Sequence, residues 1–74
     1  MRHMGALLDQ RIAAAADRQH GIVDSVDLAA LEATSQEIRR RVEARRLIRL
    51  YRGVYAVGHR RLTLEGRWLA AVKA

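Results

Sequence analysis

The sequence lacks cysteine, proline and phenylalanine, and its 74 residues include one tryptophan and two tyrosines. The absence of cysteine excludes a disulfide framework and a thiolate zinc site, and it fits the reducing cytoplasm in which we place the protein. Since there is no proline and the five glycines are scattered, no linker divides the chain. We therefore expect one domain over residues 1–74. No apolar run approaches the ~20 residues of a membrane helix, so no membrane partner is expected.

Groups suited to catalysis are also scarce. The three histidines are scattered without metal-ligand spacing, and the one lysine is Lys73. There is no glycine-rich phosphate loop, and His20 stands before Gly21, as a residue at a helix end would. We therefore expect a protein that is not an enzyme and that has no metal, cofactor or small-molecule ligand.

Positive charge, by contrast, is concentrated in one third of the chain. Nine arginines and one acid, Glu43, lie between residues 39 and 61, whereas the whole chain carries +6. A high-GC coding bias explains the preference for arginine over lysine, but it does not explain the clustering. A basic block built on ordered elements indicates a polyanionic partner, most plausibly nucleic acid.

Apolar periodicity predicts the elements before this block. Residues 5–19 form an amphipathic helix, and Gly21 follows as its C-terminal cap. Residues 22–23 form a minimal strand, and Asp24 caps a short second helix. The buried side chains expected on that second helix are those of Val26, Leu28 and Leu31.

A capping box stands just before the basic block. Thr34 and Glu37 each satisfy an orphan amide at the start of a third helix that runs to about Arg45. The period then changes over residues 47–57, where Arg49 and Tyr51 alternate with apolar neighbours and Arg52-Gly53 makes the turn of a hairpin. Thr63 caps a last helix. One face of that helix is apolar and carries Leu64, Trp68, Ala71 and Val72.

This order of elements is that of a winged helix-turn-helix, mainly α with a small β-hairpin. The second and third helices form the helix-turn-helix, the hairpin forms the wing, and a C-terminal helix follows. On the third helix, Gln36, Arg39 and Arg40 point away from the apolar stripe and are the candidate readers of base edges. Arg41 flanks the stripe, and we expect its stem to lie along the edge of the core.

Contacts to phosphate are expected around the same helix and on the wing. Thr34 and Ser35 lie at the helix start, where free amides suit an anion, and Tyr55 is expected to be half core. His59, Arg60 and Arg61 add a basic patch or a plain solvated loop. The candidate phosphate-binding residues are Thr34, Ser35, Arg46, Arg49, Tyr51, Arg52 and Arg60.

Residues 8–72 resemble the N-terminal winged-helix domain of AbiEi-family antitoxins, of a kind common in actinobacteria. The resemblance is carried by RQHGIVDSVDLAAL, TSQEIRRRVEARRLIRLYRGVYAVG and RWLAAV, and most specifically by IRRRV and RGVYAVG. It implies a domain that binds the promoter of its own toxin–antitoxin operon and represses it. Many family members continue into a second domain, so this chain is either a fragment or a stand-alone regulator.

Two positions depart from the family pattern. Arg45 and Glu32 stand where the family usually has glycine, after the third helix and in the turn before it. A residue other than glycine adopts a left-handed cap only at a cost of about 1 kcal/mol. We therefore expect the third helix either to extend further or to end without that cap.

The sequence thus predicts a transcriptional regulator that binds double-stranded DNA, acting as a homodimer or with a missing C-terminal domain. Two alternatives remain open. The first is a protein-interaction module that docks a partner through Trp68 and the last helix. The second is a binder of structured RNA, since basic charge alone does not separate RNA from DNA.

Overall fold

A computed structural model describes residues 2–58 and 64–74, which form four helices and three strands. The expectations for Arg60 and for Thr63 as a cap lie outside the described residues. In chain order the elements are α1 (Arg2–Asp17), β1 (Ile22–Asp24), α2 (Ser25–Ala30), α3 (Ser35–Glu43), β2 (Leu47–Tyr51), β3 (Val54–Val57) and α4 (Leu64–Lys73).

The three strands form one antiparallel sheet in the order β1-β3-β2. The central strand β3 pairs with β1 from Ile22 opposite Ala56 to Asp24 opposite Val54. It also pairs with β2, starting from Leu47 opposite Val57. Helices α2 and α3 thus lie, along the chain, between β1 and β2. These two strands form the edges of the sheet, and β3 pairs with both. This is the architecture of a winged helix-turn-helix, and it confirms the predicted fold.

Apolar side chains cover the sheet on both faces. On one face, Val23, Tyr55 and Val57 pack against α1, α2 and α3 in the main core. On the other, Ile22 and Val54 pack against Ala70 of α4. All four residues of β3 are buried as a result, although the alternating sequence of this strand is also compatible with one exposed face.

The short helix α2 corrects one prediction. Leu28 is fully buried and Leu31 packs against the core, but the side chain of Val26 is 74% exposed. Val26 and Leu28 are two residues apart, which places them about 200° apart around a helix, on nearly opposite sides. Leu28 therefore occupies the inward side of α2, and Val26 faces outward.

Helices α2 and α3 end in left-handed residues that are not glycine. Arg45 has φ +61°, its amide donates to the Val42 carbonyl, and the next amide donates from Arg46 to Arg41. Glu32 has φ +62° and repeats this pattern after α2. Both are Schellman caps. The expectation that α3 would extend, or end without this cap, is wrong, because the two hydrogen bonds form despite the arginine.

Gly58 shows why a glycine must follow the second strand of the wing. A Cβ atom added at Gly58 would lie 2.0 Å from the carbonyl oxygen of Arg45, which is backbone and does not move aside easily. The Gly58 amide also donates to the Arg46 carbonyl. The end of β3 is thus fastened against the turn that follows α3, and this contact helps to fix the position of α3.

Candidate nucleic-acid interface

The outward face of α3 carries the residues that the sequence selected as base readers. Gln36, Arg39 and Arg40 are all exposed, while Ile38 and Val42 pack against the main core. Their inward and outward placement is therefore as expected from the 100° spacing of a helix. Whether the three side chains contact bases remains a prediction.

A groove between α3 and the wing brings together residues from separate elements. Ser35 and Arg39 of α3 and Arg49 of β2 line it, together with the apolar side chains of Ile38, Val42 and Tyr55. The two guanidinium groups therefore belong to one surface, although Arg39 and Arg49 are ten positions apart in the sequence. Such a surface presents donors from the helix and from the wing to the same polyanion.

The start of α3 is less open to an anion than the sequence indicated. The Thr34 amide donates to Oε1 of Glu37 at 2.8 Å, and the Glu37 amide donates to the Thr34 hydroxyl at 3.1 Å. The hydrogen bond from the Thr34 backbone, followed by that from its side chain, lowers the pKa of Glu37. Glu37 is therefore a carboxylate at neutral pH, next to the position where Thr34 and Ser35 were expected to meet phosphate.

At the tip of the wing, Arg52 is exposed and Gly53 has φ +74°. The Gly53 carbonyl accepts from the amide of Ser25 at 2.8 Å, which ties the tip to the first residue of α2. The wing is therefore braced against the helix-turn-helix rather than standing apart from it. Arg49 and Arg52 remain candidates for phosphate contact.

The two tyrosines of the hairpin lie on different faces of the sheet. Tyr55 is buried in the main core, more fully than the half-core position expected from the sequence. Tyr51 is opposite Val54, because the register shifts between Arg49 and Tyr51. Cross-strand partners point to the same face, so Tyr51 lies on the α4 side, where it lines a hollow with Arg67. Simple alternation over residues 47–51 would place Arg49 and Tyr51 on one face, and the register shift separates them.

An acid on α1 forms ion pairs with two arginines of the basic block. No sequence pattern indicated these ion pairs. Asp9 accepts from Nε of Arg41 at 2.7 Å through one oxygen and from Nη1 of Arg46 at 2.9 Å through the other. Arg41 also donates to the Glu37 carbonyl at 3.0 Å. The structural role expected for Arg41 is thus correct. Arg46, expected to bind phosphate, is paired within the protein, although its side chain remains 65% exposed.

Within residues 2–58 and 64–74, no group of three or more His, Asp or Glu side chains could hold a metal ion. No helix in this part of the chain is long and apolar enough to cross a membrane. The arrangement that the described residues do offer is an array of arginine donors on α3 and the wing.

Comparison with known proteins identifies the family. A family model described as a transcriptional regulator, AbiEi antitoxin, matches residues 10–58. These residues run from α1 to the end of the wing and include the whole α3–wing surface. No curated protein and no solved structure matches the chain.

Proposed function

Because the chain belongs to the AbiEi antitoxin family of transcriptional regulators, we propose that it binds double-stranded DNA in a sequence-specific manner and represses its own toxin–antitoxin operon. The family is one of regulators rather than an enzyme class. The observation that carries the proposal is the shared surface of α3 and the wing, where Arg39 and Arg49 line one groove. Such a regulator would act in the cytoplasm, where bacterial DNA is found.

In this proposal the two arms of the surface have different tasks. Gln36, Arg39 and Arg40 lie on the exposed face of α3, where side chains of a recognition helix meet base edges. Arg49 and Arg52 contact phosphate from the wing and set the position of the domain on the duplex. Ser35 and Thr34 add weaker contacts, since the carboxylate of Glu37 opposes a phosphate beside them.

The test is fluorescence anisotropy with the DNA upstream of the operon, a scrambled duplex and an RNA hairpin, at two salt concentrations. Replacing Arg39 and Arg40 together by alanine should weaken operator binding by at least about tenfold, because each base-reading arginine is worth about 1–3 kcal/mol. The matched control replaces Arg18 and Arg67 together by alanine. Both are exposed and lie outside the basic block, so this variant loses the same charge.

Tight binding to the operator, steep in salt and lost only in the Arg39/Arg40 variant, supports the proposal. Equal or tighter binding to the RNA hairpin would favour the structured-RNA alternative instead. No measurable binding to any duplex at low salt would rule the proposed function out.

A second candidate function is association through α4, and a specific observation favours it. The side chains of Leu64, Trp68 and Val72 are spaced four residues apart on one face and are 80%, 70% and 61% exposed. The apolar face that the sequence indicated on this helix therefore points outward. The buried face consists instead of Gly66 and Ala70. Exposed apolar patches of this extent mark interaction sites.

We propose a second copy of the chain as the occupant of this face. With about 150–250 Å² for Trp68 and less for each of the two aliphatic side chains, the stripe offers roughly 400 Å² per copy, or roughly 800 Å² for a pair. That is below the roughly 1,200 Å² of a stable interface and indicates a weak dimer that DNA would strengthen. Lys73 is paired with Asp24, so this face carries little net charge, whereas two copies of a +6 chain repel elsewhere.

Sedimentation equilibrium over a range of protein concentrations, with and without operator DNA, tests the dimer. Replacing Trp68 by alanine should shift the protein towards monomer. Replacing Val26, an equally exposed apolar residue on α2, should not. A wild-type chain that stays monomeric at every concentration, even on DNA, would reject a second copy and assign the face to another partner.

A further inference from the structure

The carboxylate of Asp9 stands at the junction of α1, α3 and the turn after α3. Its two oxygens accept from two different arginines, Arg41 at 2.7 Å and Arg46 at 2.9 Å. In sequence these partners are 32 and 37 residues away. One acid thus neutralises part of the basic block from a separate helix.

The two arginines are not equivalent. The Arg41 side chain is 11% exposed and donates to Asp9 and to the Glu37 carbonyl of its own helix. Because a buried guanidinium must keep its partners, this contact links α3 to α1 and contributes to the orientation of α3. Arg46 is mostly exposed and makes a pair of the kind that solvent weakens. Its guanidinium would otherwise be free to meet a phosphate.

We infer that Asp9 is a positioning residue of the DNA-facing surface: it orients α3 through Arg41 and withholds Arg46 from phosphate. This inference rests on the proposed function. If Asp9 has this role, it affects sequence-independent binding and operator binding in opposite directions. The carboxylate lowers the sequence-independent attraction to any duplex, which depends on the number of phosphates neutralised, and it favours the operator, which requires a correctly aimed helix.

The experiment measures binding of the full chain to operator and to scrambled duplex across a salt series, for the wild type and Asp9→Asn. The variant should bind the scrambled duplex about threefold more tightly, with a log–log salt slope steeper by about 1, since one more cation meets phosphate. The ratio of operator to scrambled affinity should fall about tenfold. Glu65→Gln, the same charge change on the exposed part of α4, should leave the ratio unchanged.

A coupling test follows the Arg46 part of the inference. Its first arm changes an exposed residue in the wild-type background, so that arm does not depend on whether Asp9→Asn folds. In the wild-type background, Arg46→Gln should change scrambled-duplex affinity less than twofold, because Asp9 already holds that guanidinium. In the Asp9→Asn background, Arg46→Gln should remove the threefold gain and return the salt slope to the wild-type value.

Several outcomes would overturn the inference. A role in stability alone predicts that Asp9→Asn lowers the midpoint of urea unfolding while both DNA affinities stay as in the wild type. Direct phosphate binding by Arg46 predicts that Arg46→Gln alone weakens both duplexes and flattens the salt slope by about 1. A wild-type chain that binds no duplex would overturn the proposed function together with the inference, whereas intact wild-type binding with an unchanged ratio in Asp9→Asn would overturn only the role of Asp9.

Discussion

Within the described part of the chain, three residues other than glycine adopt the left-handed backbone conformation that usually favours glycine. His20, Glu32 and Arg45 all have φ near +60°. Each ends a helix, and such a conformation is unfavourable for a residue that carries a Cβ. The surrounding hydrogen bonds hold the conformation regardless. The cap after α3 is therefore formed by tertiary and backbone contacts that a local glycine rule does not include.

Replacing Arg45 by glycine is expected to stabilise the fold by about 1 kcal/mol, because glycine removes the strain of the left-handed region. Urea unfolding followed by circular dichroism would measure the change. The matched control is Ala44→Gly at the preceding residue, whose φ of −82° suits alanine, so that variant should lose stability. A loss of stability in Arg45→Gly as well would show that the Arg45 side chain contributes contacts that outweigh the strain.

Local patterns also explain which side-chain placements could be predicted from the sequence. The outward placement of Gln36, Arg39 and Arg40 follows from helical spacing and a local capping box, so sequence suffices. The pairing of Arg46 with Asp9 joins residues 37 apart, and no short-range pattern contains it. Tyr51 changed face because of one register shift, and nothing in an alternating pattern reveals a bulge.

At the scale of elements, α4 is attached to the start of the helix-turn-helix. Nζ of Lys73 donates to Oδ2 of Asp24 at 2.7 Å, while Oδ1 of Asp24 accepts the Asp27 amide and caps α2. Burial alone would raise the pKa of Asp24, but the hydrogen bonds from Lys73 and Asp27 outweigh it and leave the pKa below its ordinary value of 3.8. The hydrogen bond to Asp24 is the main reason that the pKa of Lys73 lies above 10.5.

This pair predicts a defined pH window of stability. Asp24 has a lowered pKa when folded, so its contribution is complete above 3.8 and is lost as the pH falls through the lower folded value. Lys73 has a raised pKa, so its contribution is complete below 10.5 and is lost as the pH rises through the higher folded value. The stability difference between the wild type and Lys73→Met should therefore be greatest between these limits.

Urea unfolding at a series of pH values would measure this difference. It should shrink towards zero at both acid and alkaline extremes. Arg67→Met, at an exposed position of the same helix, removes the same charge and should show no such window. A difference for Lys73→Met that is constant with pH would mean that the lysine stem, rather than its charge, attaches α4.

Across the whole molecule, the sequence was sufficient for the architecture because each element has its own local signal. Capping boxes start α2 and α3, and a change of period with a glycine turn makes the wing. The placement of α4 was harder to derive. Its apolar stripe of Leu64, Trp68 and Val72 looks like a core face, but the small residues Gly66 and Ala70 let the helix approach the sheet closely. Periodicity identifies a face without indicating which partner covers it.

The two sides of the molecule consequently differ in character. The α3 and wing side carries Arg39 and Arg49, and the α4 side carries an apolar stripe beside the ion pair of Lys73 and Asp24. Because the sheet lies between them, the proposed self-association leaves the proposed DNA surface uncovered. The two proposals are therefore compatible, and each has its own test.

The central position of β3 bears on how the chain acquires its shape during synthesis. Both neighbours of this strand precede it in the sequence, so a growing polypeptide has no sheet until Val54–Val57 have left the ribosome. Until then, α2 and α3 lie in a segment between two strands that are not yet paired. Closing this segment is the slow, long-range step expected in the folding of such a chain. A truncated product that ends inside the wing would keep most of the arginines but lack β3, so the sheet that positions α3 and the wing would not form.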